Sequence, residues 1–229
     1  MSAQPFRALA REAAARYPAR DRYGRHFAFG KLTGDPAFAY LLRERVIPPG
    51  ASILDLGCGQ GVLAALLTAE GFDGGKIRGI DLVARDVERA RTAVPSAEFI
   101  HGDIRTTPFG TADVVVILDV LHYIDPPAQE DVLRRVREAL SGGGLLLLRV
   151  GDANGSLRFR ITVAVDRAVT ALRGHGAGPL HCRPVAEWTR LLEALGFHVA
   201  ARPMSEGTPF ANVLLVARYD RRAPRENHE

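Results

Sequence analysis

The stretch Ile53–Gly61, ILDLGCGQG, decides the fold. A short apolar strand leads into three glycines at alternate positions, Gly57, Gly59 and Gly61, and a helical pattern follows directly. Glycines at such a turn allow positive φ angles and a close approach of the backbone to a ligand. The new helix presents unpaired N–H groups at its N-terminus. The pattern is typical of a nucleotide-type site at the carboxyl end of a parallel strand, although a tight turn without a ligand would look the same.

Strands and helices alternate on both sides of this loop. The predicted strands are Ser52–Leu56, Lys76–Asp81, Glu98–His101, Asp113–Leu118, Leu145–Val150, Phe197–Arg202 and Asn212–Tyr219. The predicted helices are Gln60–Glu70, Ala84–Val94, Ala128–Leu140, Leu157–Leu172 and Val185–Leu195, and a turn is expected at Ser141–Gly144. Helices between strands predict a parallel sheet with right-handed crossovers. The last two strands have no helix between them, so they predict a hairpin with an antiparallel last strand.

The composition of the 229 residues, 47% hydrophobic and 24% charged, is ordinary for a globular protein and excludes a disordered or collagen-like chain. The two cysteines, Cys58 and Cys182, make no disulfide framework, and no His/Cys cluster has metal-ligand spacing, so no metal is expected. The absence of a signal peptide or a membrane-spanning run predicts a cytoplasmic protein. The net charge of +4 favours an anionic partner, but no dense basic run with interleaved aromatics predicts nucleic-acid binding.

Acidic residues surround the glycine loop. Asp81 ends the second strand, where a carboxylate can accept both ribose hydroxyls of an adenosine. Asp103 follows the third strand, where it can meet the adenine amino group. Asp55 precedes the loop, and an anion there suits a methionine ammonium or a sulfonium better than a pyrophosphate. This chemistry favours S-adenosylmethionine over NAD; an NAD-dependent oxidoreductase is the alternative, but G-x-G-x-x-G spacing and a Tyr-x-x-x-Lys pair are lacking.

At these residues the sequence resembles the class I S-adenosylmethionine-dependent methyltransferases. The resemblance covers about Ile47–Val150 well and the terminal helix and hairpin loosely. It implies an α/β fold with a Rossmann-like, doubly wound, seven-stranded sheet that is mostly parallel with an antiparallel last strand. The cofactor-binding residues that it implies are Asp55, Gly57, Cys58, Gly59, Gly61, Asp81, Leu82, Gly102, Asp103, Ile104 and Asp119. Leu82 would stack on the adenine in this arrangement.

The patterns divide the chain into five parts. The parts are an N-terminal helical cap (1–46), the cofactor-binding core (47–150), a helical insert or lid (151–183), the last helix and hairpin (184–220) and a disordered tail (221–229). Groups that bind the acceptor are expected from the exit of strand four, the N-terminal segment and the insert. The predicted lid helix, Leu157–Leu172, carries arginines around an apolar stripe. Its polar face is either solvated or contacts a membrane surface or a carrier protein.

Several residues outside the loop are candidates for the reaction. His122, in the segment DVLHY after strand four, is the candidate general base, because an unperturbed histidine pKa near 6.5 suits proton removal. The alternative is a structural histidine that covers the cofactor. The candidate substrate residues are Tyr23, His26, Lys31, Tyr123 and His181. The aromatic-rich segment that carries the first three either closes over the cofactor or merely packs as a docked helix.

Three phrases at the two ends of the chain resemble bacterial methyltransferases from aryl polyene pigment clusters. They are GKLTGDPAF (Gly30–Phe38), HCRPVAEWTRLLEALGF (His181–Phe197) and SEGTPFANVLLVAR (Ser205–Arg218). This resemblance implies a role in secondary metabolism and an aromatic hydroxyphenyl acceptor, either free or on an acidic acyl carrier protein. A basic balance would suit such a carrier. A partner subunit that binds the cofactor without catalysis is a further alternative, whereas the lack of an appended basic domain counts against an RNA methyltransferase.

Overall fold

The computed structural model describes residues 3–153, 179–208 and 211–220. The predicted lid helix and the predicted tail lie outside these residues. The strands are β1 (Ile53–Leu56), β2 (Ile77–Asp81), β3 (Glu98–His101), β4 (Ala112–Leu118), β5 (Leu140–Gly151), β6 (Phe197–Pro203) and β7 (Asn212–Tyr219). The helices are α1 (Ala3–Ala15), α2 (Arg22–Gly34), α3 (Pro36–Arg43), α4 (Val62–Ala69), α5 (Ala84–Ala93), α6 (Pro126–Ala139) and α7 (Val185–Ala194).

The seven strands form one sheet in the order β3-β2-β1-β4-β5-β7-β6. β1 to β5 pair in parallel, and β7 runs antiparallel to both β5 and β6, which confirms the predicted hairpin and the antiparallel last strand. The strand order reverses at β1, which lies between β2 and β4. In α/β sheets, ligands bind beyond the carboxyl ends of the strands at such a switch point. The glycine loop follows β1 and therefore lies at this point.

Several predicted boundaries differ from the observed ones, and two of the differences have a clear structural cause. The turn expected at Ser141–Gly144 is part of β5. Ala112 pairs with Leu140 and Val114 pairs with Leu145, so the glycine-rich residues form an irregular extension opposite β4 instead of a separate turn. The helix expected from Ala128 begins at Pro126. The prolines fit because the first helical N–H groups need no partner, and the Asp125 side chain accepts from the backbone N–H of Ala128 at 3.0 Å.

Helices cover both faces of the sheet. One apolar cluster packs α1 to α5 against one face, and a second packs α6, α7 and the hairpin against the other. The central residues of β4, Val114 to Ile117, are fully buried, as expected for a β-branched strand covered on both sides. Within the described ranges, no helix is long and apolar enough to cross a membrane. The three-layer arrangement places the N-terminal helices on the same side of the sheet as α4 and α5.

Candidate cofactor and acceptor site

The glycine loop between β1 and α4 adopts a backbone that favours glycine. Gly57, Gly59 and Gly61 have φ angles of 77°, 51° and 76°. A Cβ on Gly57 would lie 2.2 Å from Cγ2 of Val120, and one on Gly61 would lie 2.8 Å from Cβ of Ala90. A Cβ on Gly59 would meet nothing within 4 Å. The outer two glycines are therefore required by packing, whereas Gly59 borders open space that a ligand can occupy.

Asp81 binds the loop directly. Its carboxylate accepts hydrogen bonds from the backbone N–H of Gly59 at 2.7 Å and of Val83 at 2.8 Å. The next residue, Leu82, exposes 57% of its surface. The structure therefore brings Asp81, Leu82 and Gly59 together at the carboxyl ends of β1 and β2. Each carboxylate oxygen can accept more than one hydrogen bond, so Asp81 retains acceptor capacity for a ligand.

Asp55 is a buried carboxyl group beneath the loop. It exposes only 5% of its surface, and its side chain forms no hydrogen bond or ion pair with the described residues. Burial, and next the charge of Asp81, raise its pKa to about 7. Burial also raises the pKa of the Cys58 thiol, whose sulfur packs against Gly79 of β2. Cys58 is therefore a packing residue, and Asp55 is a group that a cationic ligand would stabilise in its charged form.

The predicted adenine-edge residues have different surroundings. The backbone N–H of Gly102 donates to the carbonyl of Asp81 at 2.9 Å, which places it next to β2. Asp103 is bound by the Arg105 side chain at 2.5 and 2.9 Å, and these hydrogen bonds lower its pKa. Ile104 is buried in the core. Asp103 therefore has a protein partner, which a ligand must share.

The N-terminal helices contact the loop through a residue that the sequence analysis missed. The buried hydroxyl of Tyr17 donates to the carbonyl oxygen of Gln60 at 2.9 Å. Close by, Asp21 pairs with Arg89 of α5 at 3.0 Å. The Arg89 guanidinium lies 5.0 Å from the centroid of the Tyr23 ring, which is 54% exposed. A tyrosine just after a helix carries no local signal for such a long-range contact.

Four charged residues form an ion cluster at the ends of β4 and β5, made of Lys31, Asp35, Asp119 and Arg149. Arg149 is 1% exposed; its Nε donates to Asp119 at 2.8 Å, and its terminal nitrogens pair with Asp119 and Asp35. Lys31 lies 3.0 Å from Asp35 and 3.7 Å from Asp119. Burial alone would raise the pKa of Asp35, but Arg149 and Lys31 lower it to about 2. The signal that could have revealed Arg149 is an arginine inside the apolar strand LLLLRV.

Two of these residues were predicted as ligand contacts. The structure joins Lys31 and Asp119 through a protein network, in which Asp119 adopts a positive φ of 59°. Burial alone would raise the pKa of Asp119, but Arg149 and Lys31 outweigh it and lower the pKa. The cluster therefore ties the α2–α3 junction to the exit of β4 and keeps both carboxylates charged.

His122 lies in a short 3-10 turn after β4, Leu121–Tyr123. It is 9% exposed, and its ring centroid lies 4.1 Å from that of Tyr123, which is 44% exposed. Burial lowers the His122 pKa, with Asp119 acting in the opposite direction. The expectation of an unperturbed pKa is therefore wrong. The shift keeps the imidazole neutral at pH 7, which is the form that a general base needs.

His181 lies next to His122, whereas His26 does not join them. The backbone N–H of His181 donates to the carbonyl oxygen of His122 at 2.8 Å, although the two residues are far apart in sequence. His26 is exposed on α2, and its side chain forms no hydrogen bond or ion pair with the described residues. The described ranges contain no group of three His, Cys, Asp or Glu that could hold a metal, and Cys58 and Cys182 form no disulfide there.

The fold and the loop match known methyltransferases. Residues 53–144, less than half of the chain, match the model of a methyltransferase domain. The chain has the Rossmann-like fold of methyltransferases. It is similar to magnesium protoporphyrin IX methyltransferase from Synechocystis PCC 6803, solved with bound S-adenosylhomocysteine, at a TM-score of 0.62, with 19% identity over 89% of this chain and 90% of that one. It is also similar to 1,6-didemethyltoxoflavin-N1-methyltransferase from Burkholderia thailandensis, at a TM-score of 0.61, with 18% identity over 96% of this chain and 91% of that one.

One curated relative is named as a synthase and not as a methyltransferase. The chain is 33% identical over 117 residues to a carboxy-S-adenosyl-L-methionine synthase from Enterobacter sp. (strain 638), a match that covers 47% of each protein. The chain thus spans about half the length of the curated relatives it matches.

Proposed function

We propose that the chain is an S-adenosylmethionine-dependent methyltransferase that acts on a small molecule. The observation that carries the proposal is the buried carboxyl of Asp55 beneath a loop whose Gly59 borders open space. A carboxyl with a pKa of about 7 and no described hydrogen-bond partner suits a ligand that brings a cation. The ammonium and sulfonium of S-adenosylmethionine are such cations, whereas the pyrophosphate of NAD is an anion.

The residues of this site fit the remaining parts of the cofactor. Asp81 would accept hydrogen bonds from the ribose hydroxyls while it continues to bind the Gly59 N–H. The exposed side chain of Leu82 offers an apolar surface for the adenine. When bound, the cofactor supplies a methyl group on a positively charged sulfur. The protein's contribution is then to orient the acceptor, exclude water and remove a proton.

The acceptor side supports a hydroxyphenyl compound, either free or bound to an acyl carrier protein. Tyr123, in the turn that carries His122, exposes 44% of its surface and offers an aromatic contact. Tyr23 is 54% exposed beside Arg89 of α5 and offers a second aromatic surface near the glycine loop. A phenol has a pKa near 10, and its phenolate is the reactive form, so a neutral His122 would act as the base that removes the proton. The net charge of +4 would attract an acidic carrier. The same deprotonation serves methylation at oxygen and at the neighbouring ring carbon.

A second candidate follows from the curated relative. The chain would then produce a carboxylated form of S-adenosylmethionine, the product that the relative's name states for that protein. The methyl carbon would lose a proton and form a C–C bond to a carboxyl group taken from a carboxylic-acid co-substrate, whose own C–C bond to that group breaks and which takes up the proton. Both reactions use the same cofactor loop. They differ in the cofactor product, because methyl transfer leaves S-adenosylhomocysteine and carboxylation leaves a heavier sulfonium.

The cofactor is tested by isothermal titration calorimetry with S-adenosylmethionine, S-adenosylhomocysteine and NADH. We expect binding of the first two and none of NADH. Gly59→Val should abolish binding, because a branched residue at a φ of 51° is strained and its side chain would enter the open space. Since nothing lies within 4 Å of that Cβ, the variant should keep its fold. Normal binding by a folded Gly59→Val, or a preference for NADH, would refute the proposal.

The reaction is tested by mass spectrometry of both products. The protein is incubated with S-adenosylmethionine and a panel of phenolic acids, each supplied free and linked to an acyl carrier protein. Methyl transfer predicts a phenolic product heavier by one methylene, together with S-adenosylhomocysteine. A parallel incubation replaces the phenolic acids by a panel of carboxylic acids that decarboxylate readily, such as 2-oxo acids. A carboxylated cofactor there, with unchanged phenols in the first incubation, would establish the second candidate.

A further inference from the structure

A buried glutamine on the acceptor side joins three segments of the chain. Gln129 is fully buried in the first turn of α6. Its Nε2 lies 3.0 Å from the carbonyl oxygen of Leu121, 3.1 Å from that of Ile124 and 2.8 Å from that of His181. An amide NH2 carries two hydrogens, so one of them is shared between two carbonyls. This side chain therefore connects the turn that carries His122 with the segment that carries His181.

Arg183 satisfies the other end of the same amide. Its Nε donates to Oε1 of Gln129 at 2.8 Å, and its terminal nitrogens pair with Glu187 at 2.6 Å and Glu130 at 2.9 Å. The arginine is 8% exposed and also donates to the carbonyl oxygen of Pro126 at 3.2 Å. Carbonyls surround one end of the Gln129 amide and a guanidinium the other, so a single orientation satisfies all partners. We call Gln129 and Arg183 the polar clamp.

The polar clamp lies between the segment that carries His181 and the turn after β4. Gln129 binds the carbonyl of His181 on one side and those of Leu121 and Ile124 on the other. The hydrogen bond from the His181 N–H to the His122 carbonyl crosses the same junction. We propose that Gln129 and Arg183 are positioning residues that fix the segment of His181 against the turn of His122, so that both histidines meet the acceptor from fixed positions. This inference rests on the proposed function.

Two variants of the polar clamp separate its parts. Gln129→Leu keeps a side chain of similar size but removes the donors to all three carbonyls and the acceptor for Arg183. Arg183→Lys keeps the charge opposite Glu130 and Glu187 but loses the planar donor to Gln129. The matched control is Arg135→Met on the same helix, because Arg135 also donates to three backbone carbonyls, in the loop 104–107 and away from both histidines.

The first measurement is hydrogen exchange of backbone amides by NMR. In Gln129→Leu the His181 amide should exchange about tenfold faster than in the wild type. The variant loses the hydrogen bond that holds the His181 carbonyl, and the loss of one ordinary hydrogen bond makes local opening of this segment easier by about that factor. Arg183→Lys should show a smaller increase in the same direction. Arg135→Met should leave the His181 amide unchanged.

The second measurement uses the phenolic acid that gives the highest wild-type rate. Gln129→Leu should lower kcat about tenfold or more, because a small displacement of aligned groups slows catalysis strongly. The KM for S-adenosylmethionine and the affinity for S-adenosylhomocysteine should stay within about twofold, because the clamp does not contact the glycine loop. Arg183→Lys should lower kcat less than Gln129→Leu does.

The outcomes distinguish this inference from the proposed function. If His181 exchanges at the wild-type rate in both clamp variants, or if Arg135→Met lowers kcat as much as Gln129→Leu, the polar clamp has no positioning role. Should Gln129→Leu fail to fold, Arg183→Lys with unchanged His181 exchange and unchanged kcat would also refute it. A wild-type protein that binds no S-adenosylhomocysteine would overturn the proposed function. In that case, the difference in His181 amide exchange between the clamp variants and Arg135→Met would still show whether the clamp fixes His181.

Discussion

The two halves of the site are built in different ways. The cofactor half, at the ends of β1 and β2, depends on backbone geometry. It has three glycines with positive φ angles and two backbone N–H groups that donate hydrogen bonds to Asp81. The acceptor half, at the ends of β4 and β5, depends on side chains from distant parts of the sequence. Arg149 there pairs with Asp35, and Gln129 binds the carbonyl of His181. The first half is specified locally, and the second only by the complete fold.

The difference teaches where function can vary on this fold. A loop held by backbone atoms tolerates few residue types, because Gly57 and Gly61 have no room for a side chain. The acceptor half is held by paired side chains, so its residues can vary when both members of a pair are substituted together. The two halves meet at Val120, which fills the space above Gly57 and belongs to the turn that leads to His122. Variants in each half should therefore affect different steps, and the following predictions test this separation.

The largest expected effect is that of His122→Ala in the acceptor half. If His122 removes the acceptor's proton, kcat should fall about 10²- to 10⁴-fold, the range for a positioned general base, with little change in cofactor affinity. Because burial lowers the His122 pKa, the wild-type rate should fall on the acid side at a midpoint below 6.5, as the imidazole becomes protonated. The measurement is the pH profile of kcat with a phenolic acceptor.

The variant's own pH profile is the control. The His122→Ala rate should recover at high pH, where the phenol ionises without a base. A loss that stays constant across the pH range would assign His122 to structure or to covering the cofactor. A large loss of S-adenosylhomocysteine affinity in this variant would contradict the separation of the two halves.

The next effect is on stability and concerns the ion cluster. Arg149→Met leaves Asp35 and Asp119 with Lys31 as their only cationic partner among the described residues, and removing one partner of a buried ion cluster costs about 3 kcal/mol. This corresponds to about 150-fold in the ratio of folded to unfolded protein. Denaturant unfolding at pH 7 measures it. The matched control is Arg202→Met on the exposed face of β6, which should change the unfolding free energy by less than about 0.5 kcal/mol. Equal effects of the two substitutions would contradict a stabilising role of the cluster.

The same division explains what the sequence could predict. The alternation of strands and helices, the hairpin and the glycine loop follow from periodicity and from glycine spacing, which are local properties. Asp103 shows the first limit, because its pairing with Arg105 depends on side-chain conformation. The contacts of Tyr17 with Gln60 and of Arg149 with Asp35 show the second, because each joins residues that only the fold brings together. The missed start of α6 had a local signal, since Asp-Pro-Pro is typical of a capped helix start.

A smaller effect is expected for Asp81→Ala in the cofactor half. If Asp81 binds the ribose hydroxyls as proposed, the variant lacks these hydrogen bonds, and charge-assisted contacts of this kind contribute about 1.5–3 kcal/mol. This corresponds to about 10- to 150-fold weaker binding of S-adenosylhomocysteine by calorimetry. The variant also loses the bonds that order Gly59 and Val83, so part of the loss should appear as faster hydrogen exchange of these two amides. Unchanged affinity would remove Asp81 from the site.

The smallest effect is the pH dependence of cofactor binding through Asp55. Without a ligand its pKa is about 7, so about a tenth of the protein carries the charged form at pH 6 and about nine tenths at pH 8. A cationic ligand binds the charged form, so the affinity for S-adenosylhomocysteine should rise about tenfold between these pH values. Stability should change in the opposite direction. The folded pKa lies above the unfolded value near 3.9, so the folded state binds more protons between about pH 4 and 7, and its stability falls as the pH rises.

Two variants decide whether Asp55 causes this dependence. Asp55→Asn cannot ionise, so it should bind S-adenosylhomocysteine weakly and with the same affinity at pH 6 and pH 8. Asp103→Asn is the control, because the pKa of Asp103 is already lowered by Arg105 and this residue stays charged across the range. That variant should keep the wild-type pH dependence. A tenfold rise in affinity that persists in Asp55→Asn would show that another group binds the ammonium, and the cation site beneath the glycine loop would then have to be placed elsewhere.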